Sequence, residues 1–303
     1  MARHQRAQRR VQGVLREAVR DALNVAPGRG RNRRRRCITS ALMPLWLDNE
    51  TLRAKYREIA VQNLQREIQT NDPRYECNLQ FALNRIDEGI ELVTHFDGKY
   101  AGGPLVIVDV GAGNGGVAIG MANERRHTVV AVDLVPNQTL LALRAITAIP
   151  VRQVVASAYQ LPFRTGSVDV VLCLETVEHL GRIRQAGREM MGVLTRGGQV
   201  MITTPARLRF LLKRDPHFAI RALLLLPDRL QQFVVQRWLR RVEDYDVHHI
   251  FWTAWGILRA FPGRGRTETL VSIPWPGRPR NVGELLWKLF RHLLWDRIVI
   301  YKR

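Results

Sequence analysis

The stretch Val106–Gly116 reads VIVDVGAGNGG, an apolar run that ends in a turn carrying four glycines. An apolar strand that feeds such a turn brings a ligand against bare backbone, because glycine permits positive φ and a close approach. Asp109 stands two residues before the first glycine, at the carboxyl end of the strand. Gly111, Gly113 and Gly116 also satisfy the dinucleotide fingerprint, and the apolar stretch Thr128–Val132 ends in Asp133, an acidic residue at the distance that pattern requires. The Asp133 carboxylate can take both hydroxyls of a ribose, so the pair of motifs fits an NAD site or another adenosyl site.

The downstream segments separate the two. Leu161-Pro162-Phe163 precedes the strand Ser167–Leu174, and Glu175-Thr176-Val177-Glu178-His179-Leu180 follows it. Val193-Leu194-Thr195-Arg196-Gly197-Gly198 then reads as a helix end and turn that feeds Gln199–Thr204 and Pro205. In this order the motifs resemble the class I S-adenosylmethionine-dependent methyltransferases, in particular the branch that acts on quinone precursors and other small molecules. The resemblance covers residues 80–205 well and the C-terminal third loosely.

It implies that Asp109, Gly111, Ala112, Gly113, Asn114 and Gly115 hold the methionine part of S-adenosyl-L-methionine. By the same resemblance Asp133 takes the ribose, Leu134 lies against the adenine, and Ser157 and Ala158 read the adenine edge. Many relatives carry an acidic residue where this chain has Ser157, which leaves the adenine amino group to backbone contacts. The chemistry agrees: the methionine end carries an ammonium, which a carboxylate beside the loop attracts, whereas that carboxylate repels a pyrophosphate. Backbone N–H groups at the following helix start are expected to receive the methionine carboxylate.

Strands are expected at 105–110, 128–133, 151–156, 168–174 and 199–204, separated by stretches of helix length. Thr269–Ile273 and Arg297–Tyr301 are read as two more, the last one antiparallel by the family resemblance. The expected fold class is therefore α/β: a doubly wound, mostly parallel, seven-stranded Rossmann-like sheet. Leu52, Tyr56, Ile59, Leu64 and Ile68 predict one amphipathic helix ahead of it, and Leu79, Ala82, Ile86, Ile90 and Val93 a second. Helical additions are expected at 206–250 and 278–296, where Trp and Arg beside apolar residues suit either packing on the sheet, an apolar acceptor or a membrane interface.

The 303 residues carry a formal charge of +20, and five of the 47 basic residues are lysine, leaving 42 arginines. Half of the excess lies in residues 1–36, where twelve arginines meet Glu17 and Asp21. This places a basic tail at 1–45, with a glycine- and arginine-rich linker at 27–36 and a short amphipathic pattern through Val11, Val14, Leu15, Ala18, Val19 and Leu23, ahead of a methyltransferase domain at 46–303. An anionic membrane surface or RNA is the partner such a tail fits; a solvated tail is the plain alternative. Cys37, Cys77 and Cys173 share no metal-ligand spacing and form no even framework, so no metal and no disulfide scaffold is expected and a reducing, cytoplasmic setting fits.

The function expected is methyl transfer to a hydroxyl, carbon or amine of a small or lipid-like acceptor. His179 is the first candidate base, followed by His248 and His249. No Asn-Pro-Pro-Tyr-like segment and no Pro-Cys pair follows the fourth strand, which disfavours modification of flipped bases. An RNA methyltransferase docked by its arginine tail and an inactive cofactor-binding scaffold are the alternatives.

Overall fold

The structure, a computed structural model, describes residues 47–67, 70, 75–99, 103–123, 127–146, 149–208, 223–238, 251, 253–270, 293 and 297–303. The basic segment 1–45, His248, His249 and all of 278–296 except Leu293 lie outside the described residues.

Two helices lead the described residues, α1 (Asn49–Glu67) and α2 (Tyr75–Lys99). Asp48 starts α1 by accepting from Thr51 N (2.8 Å) and Thr51 Oγ1 (2.8 Å), and these bonds hold its carboxyl below the usual carboxylate range. Of the expected apolar positions, Leu52 and Tyr56 of α1 pack in one core with Ile86 and Val93 of α2, joined by Ala60, Leu92 and Phe96; Ile59, Leu64, Leu79 and Ile90 are half-buried, and Ile68 lies outside the described residues. The Tyr56 hydroxyl donates to Ala82 O at 2.9 Å, joining the two helices; burial pushes that phenol up.

The sheet follows as β1 (Val106–Val110), β2 (Thr128–Asp133), β3 (Arg152–Val155), β4 (Val168–Leu174), β5 (Leu194–Thr203), β6 (Arg264–Leu270) and β7 (Arg297–Lys302). Their order is β3-β2-β1-β4-β5-β7-β6, with β1 to β5 parallel and β7 antiparallel to both neighbours. Between the strands run α3 (Gly116–Asn123), α4 (Gln138–Ile146) and α5 (Ile183–Val193). In the region expected to hold an insertion, a short α6 (Asp228–Phe233) runs into a π-turn at Val234–Trp238, and α7 (Ala254–Leu258) precedes β6.

Strand residues alternate between two cores, which is why both faces need helices and the strands read as unbroken apolar runs. Ile107, Val129, Ala131, Val170, Leu172, Leu174 and Met201 face α1 to α4. Val108, Val110, Val130, Val132, Val171, Cys173, Val200 and Ile202 face α5, α7 and Phe261.

Two sequence expectations are corrected here. Residues 194–198 are not a turn: β5 begins at Leu194, which pairs with Val168, and a register shift brings Gln199 opposite Val170. Gly197 absorbs the irregularity at φ +78°. The penultimate strand starts at Arg264, earlier than Thr269, because alternate polar residues suit a strand at the sheet edge, and residues 271–273 lie outside the described residues.

The helix over the loop, α3, is buried along its whole length and touches α2 through glycines. A Cβ on Gly120 would stand 2.4 Å from Ile86 O, and one on Gly89 2.3 Å from Val117 O. The backbones cross at contact distance, so Gly120→Ala must part the helices. It is expected to lower unfolding free energy by about 1–3 kcal/mol in urea denaturation. Gly192→Ala, where nothing lies within 4 Å of the added carbon, is expected not to lower it.

Candidate active site

The parallel strands bring their carboxyl ends to one edge, the position at which open α/β sheets hold ligands. Gly111, Gly113 and Gly115 all adopt positive φ, at +75°, +54° and +76°. A side chain on Gly111 would stand 2.3 Å from Thr176 Cγ2, so the loop lies directly against the segment after β4. Gly113 differs: its added carbon would meet nothing within 4 Å.

Hydrogen bonds hold the loop in its shape. Gly111 N and Ala112 N both donate to Val132 O, Gly113 N to Asp133 Oδ2 (2.8 Å), Gly115 N to Ala112 O, and Gly116 N to Asn114 Oδ1 (3.2 Å). These five N–H groups already donate within the protein. A diphosphate finds the same donors engaged. Asn137, which sequence reasoning missed, clasps the loop from β2's far end: its Nδ2 donates to Gly113 O while its Oδ1 accepts from Leu140 N at 2.7 Å. The signal for it was an asparagine just ahead of an amphipathic stretch, which reads as a helix cap and no more.

Asp109 is 2% exposed, and its Oδ2 has no hydrogen-bond partner. Burial pushes its carboxyl up to about 7, against the pull of the Arg85 guanidinium. Asp133 sits at the end of β2 with Oδ2 accepting from Gly113 N and Oδ1 from Leu134 N (2.6 Å). Each oxygen retains acceptor capacity for a hydroxyl. Beyond it Leu134 and Val135 are 70% and 64% exposed, an apolar surface at the edge of the site. Ser157 and Ala158 follow β3, half-buried; Ser157 Oγ accepts from Tyr159 N at 3.2 Å, a turn contact. Arg182 stacks on the Tyr159 ring at 4.3 Å.

After β4 the chain turns sharply. Glu175 is the single non-glycine residue at positive φ (51°) among the described residues, held there because its N–H is shared between Thr203 O (2.9 Å) and Thr203 Oγ1 (3.1 Å). A 3-10 turn, Val177–His179, places Glu178 inside, with Oε2 unpartnered. Burial raises both carboxyls, that of Glu178 to about 8, with Glu175 the next cause. His179, half-buried, stands close enough to Glu175 to oppose that rise. The structure therefore gathers Asp109, the loop, Asp133, Leu134 and His179 at one edge. Sequence reasoning missed the two glutamates, since nothing in their spacing told which of them faces inward.

Residues 108–202 match the family described as "Methyltransferase domain". A curated relative, norajmaline N-methyltransferase of Rauvolfia serpentina, is 26% identical over 129 residues, 41% of this chain and 44% of its own. The chain thus aligns with less than half of that relative's length. Similar solved structures include the YcgJ protein of Bacillus subtilis, 15% identical, covering 72% of this chain and 98% of its own at a TM-score of 0.43. Another is geranyl diphosphate methyltransferase in complex with S-adenosylmethionine, 17% identical, covering 80% and 93% at 0.44. Over residues 108–202 the chain is thus similar to a methyltransferase domain, and one of the similar structures holds S-adenosylmethionine.

Glu178 makes stability depend on pH in a defined direction. Its carboxyl titrates at 4.5 in the ordinary range and at about 8 when folded. Between those values the folded chain holds a proton that the unfolded chain releases, so stability falls as pH rises across the window, by at most about 1.4 kcal/mol per pH unit. Glu178→Gln is expected to flatten the thermal midpoint against pH between 5 and 8 and to raise it at the alkaline end; Asp109, raised in the same direction, leaves a residual slope.

Proposed function

We propose that the protein transfers a methyl group from S-adenosylmethionine to a hydroxyl, carbon or amine of a small or lipid-like acceptor. The observation that carries this reading is the buried Asp109 carboxylate with one unpartnered oxygen, set behind a positive-φ glycine loop that has open space at Gly113. A carboxylate there fits a ligand that brings an ammonium. Asp133 would accept from the ribose hydroxyls, Leu134 would cover the adenine, and Ser157 and Ala158 would border its edge. Asp109 would receive the ammonium beside Gly111, Ala112, Gly113, Asn114 and Gly115. The same residues suit a dinucleotide poorly, because the loop N–H groups that cradle a diphosphate already donate within the loop.

The cofactor, when bound, supplies an activated methyl group on a sulfonium, so the chain's task is alignment and exclusion of water. An acceptor hydroxyl or acidic carbon must also lose a proton, and His179 is the base we assign to it. The name of norajmaline N-methyltransferase supports a small-molecule acceptor.

Titration calorimetry of the full chain tests the cofactor. S-adenosylmethionine and S-adenosylhomocysteine are expected to bind and NADH not to. Asp133→Ala is expected to weaken both adenosyl ligands about tenfold or more, the loss of hydrogen bonds to a charged acceptor. Gly113→Val is expected to abolish binding while the chain stays folded. Binding of NADH in place of the other two would overturn the reading.

A further inference from the structure

Asp109 belongs to the face of the sheet on which α2 packs, since Ile107, two residues before it, lies in that core. One basic side chain of α2 reaches this place. Arg85 passes the start of α3 so closely that a Cβ on Gly116 would stand 2.8 Å from Arg85 Cβ. Its guanidinium lies at the carboxyl end of β4, where Nη2 donates to Leu174 O at 3.3 Å and Nη1 pairs with Glu88 Oε2 at 2.5 Å. Phe81 lies beneath it, 5.3 Å from ring centre to guanidinium carbon. The side chain is 12% exposed, so solvent screens it little. Arg85 thus spans from the end of the glycine loop to the end of β4, the two places that flank Asp109 on β1. Neither the family motifs nor the matched segment 108–202 includes it.

The surroundings are otherwise acidic. Glu88 on α2 and Asp133 at the end of β2 bring negative charge to Asp109, while burial drives the Glu175 and Glu178 carboxyls, the Tyr56 phenol and the Cys173 thiol toward their neutral forms. Arg297 reaches Glu88 Oε1 at 4.0 Å, so Glu88 does not depend on Arg85 alone. Among the described residues, Arg85 is the cation whose field reaches Asp109, Glu175 and Glu178 together.

We propose that Arg85 is a positioning residue for the cofactor: held by Leu174 and Glu88, it supplies the counter-charge that keeps Asp109 a carboxylate able to receive an ammonium. The proposal rests on the cofactor reading above. It makes α2 a working part of the site, and it makes cofactor affinity rise with pH as Asp109 ionises, with Arg85 setting where that rise falls.

The test uses the full chain as wild type, R85M, R85K, D109N and the double variant R85M/D109N. S-adenosylhomocysteine affinity is measured by calorimetry from about pH 5.5 to 8.5, and the thermal midpoint of each ligand-free protein over the same range. In R85M the midpoint of the affinity rise is expected to move up by about one pH unit, so that affinity falls about fivefold near pH 7 and about tenfold at the acid end while the alkaline limit recovers. R85K is expected to restore most of the wild-type profile. Without ligand, R85M is expected to lose stability more steeply toward alkaline pH than wild type, and D109N in the R85M background to remove that extra loss. An R85M profile with an unmoved midpoint, an equal loss at every pH, or R85K as impaired as R85M would overturn the proposal. If R85M alone fails to fold, R85M/D109N is expected to fold, and its failure would overturn the proposal as well. Wild-type protein that binds no S-adenosylhomocysteine at any pH would overturn the cofactor reading instead, while the ligand-free profiles still decide the coupling of Arg85 to Asp109.

Discussion

A carboxylate removed from water at the end of a central strand is the constraint around which the rest of the structure is arranged. Desolvation favours its neutral form, and a neutral acid lacks the charge that attracts a cationic ligand. The fold answers from several directions. Helix α2 brings Arg85, the glycine loop leaves space at Gly113, and the positive-φ turn at Glu175 leads the chain from β4 to Thr176, which packs against Gly111. The loop satisfies its own N–H groups, so its shape does not wait for a ligand.

The close packing that supports this arrangement is made by residues with no side chain to interlock. Gly89 and Gly120 let α2 and α3 approach until carbonyl oxygens stand where a Cβ would be. Gly116 then admits Arg85 and the Tyr56 hydroxyl beside the first turn of α3. A helix that precedes the first strand in sequence is in this way registered against the loop, and Arg85 on it reaches the carboxyl end of β4.

Much of the fold was legible in the sequence because it depends on local periodicity. Apolar runs bounded by glycine or acidic residues located β1, β2 and β4 to within a residue, and the spacing of Leu52, Tyr56, Ile86 and Val93 gave the buried faces of α1 and α2. What escaped depends on tertiary contact. The start of β5 at Leu194 follows from pairing with Val168, and glycines at 197 and 198 read locally as a turn. Asn137 reads as a cap until the loop it clasps is folded beside it. Arg85 is one arginine among many until α2 is laid across the sheet. Charged and amide side chains take their roles from what lies opposite, and sequence spacing carries no record of that.

The order of strands also bears on how the chain is made. Strand β7 follows all the others in sequence yet lies between β5 and β6, with Lys302 donating to Gly192 O and to Leu194 O (2.7 Å) where α5 passes into β5. During synthesis from the N-terminus, β1 to β5 can pair as they emerge. The outer edge of β5 stays open, and β6 has no neighbour, until Arg297–Lys302 leaves the ribosome. An open edge of this kind is a template for pairing with another chain. The nascent protein is therefore most exposed to misassembly in the interval between β5 and β7, after the carboxyl edge of β1 to β4 is already formed.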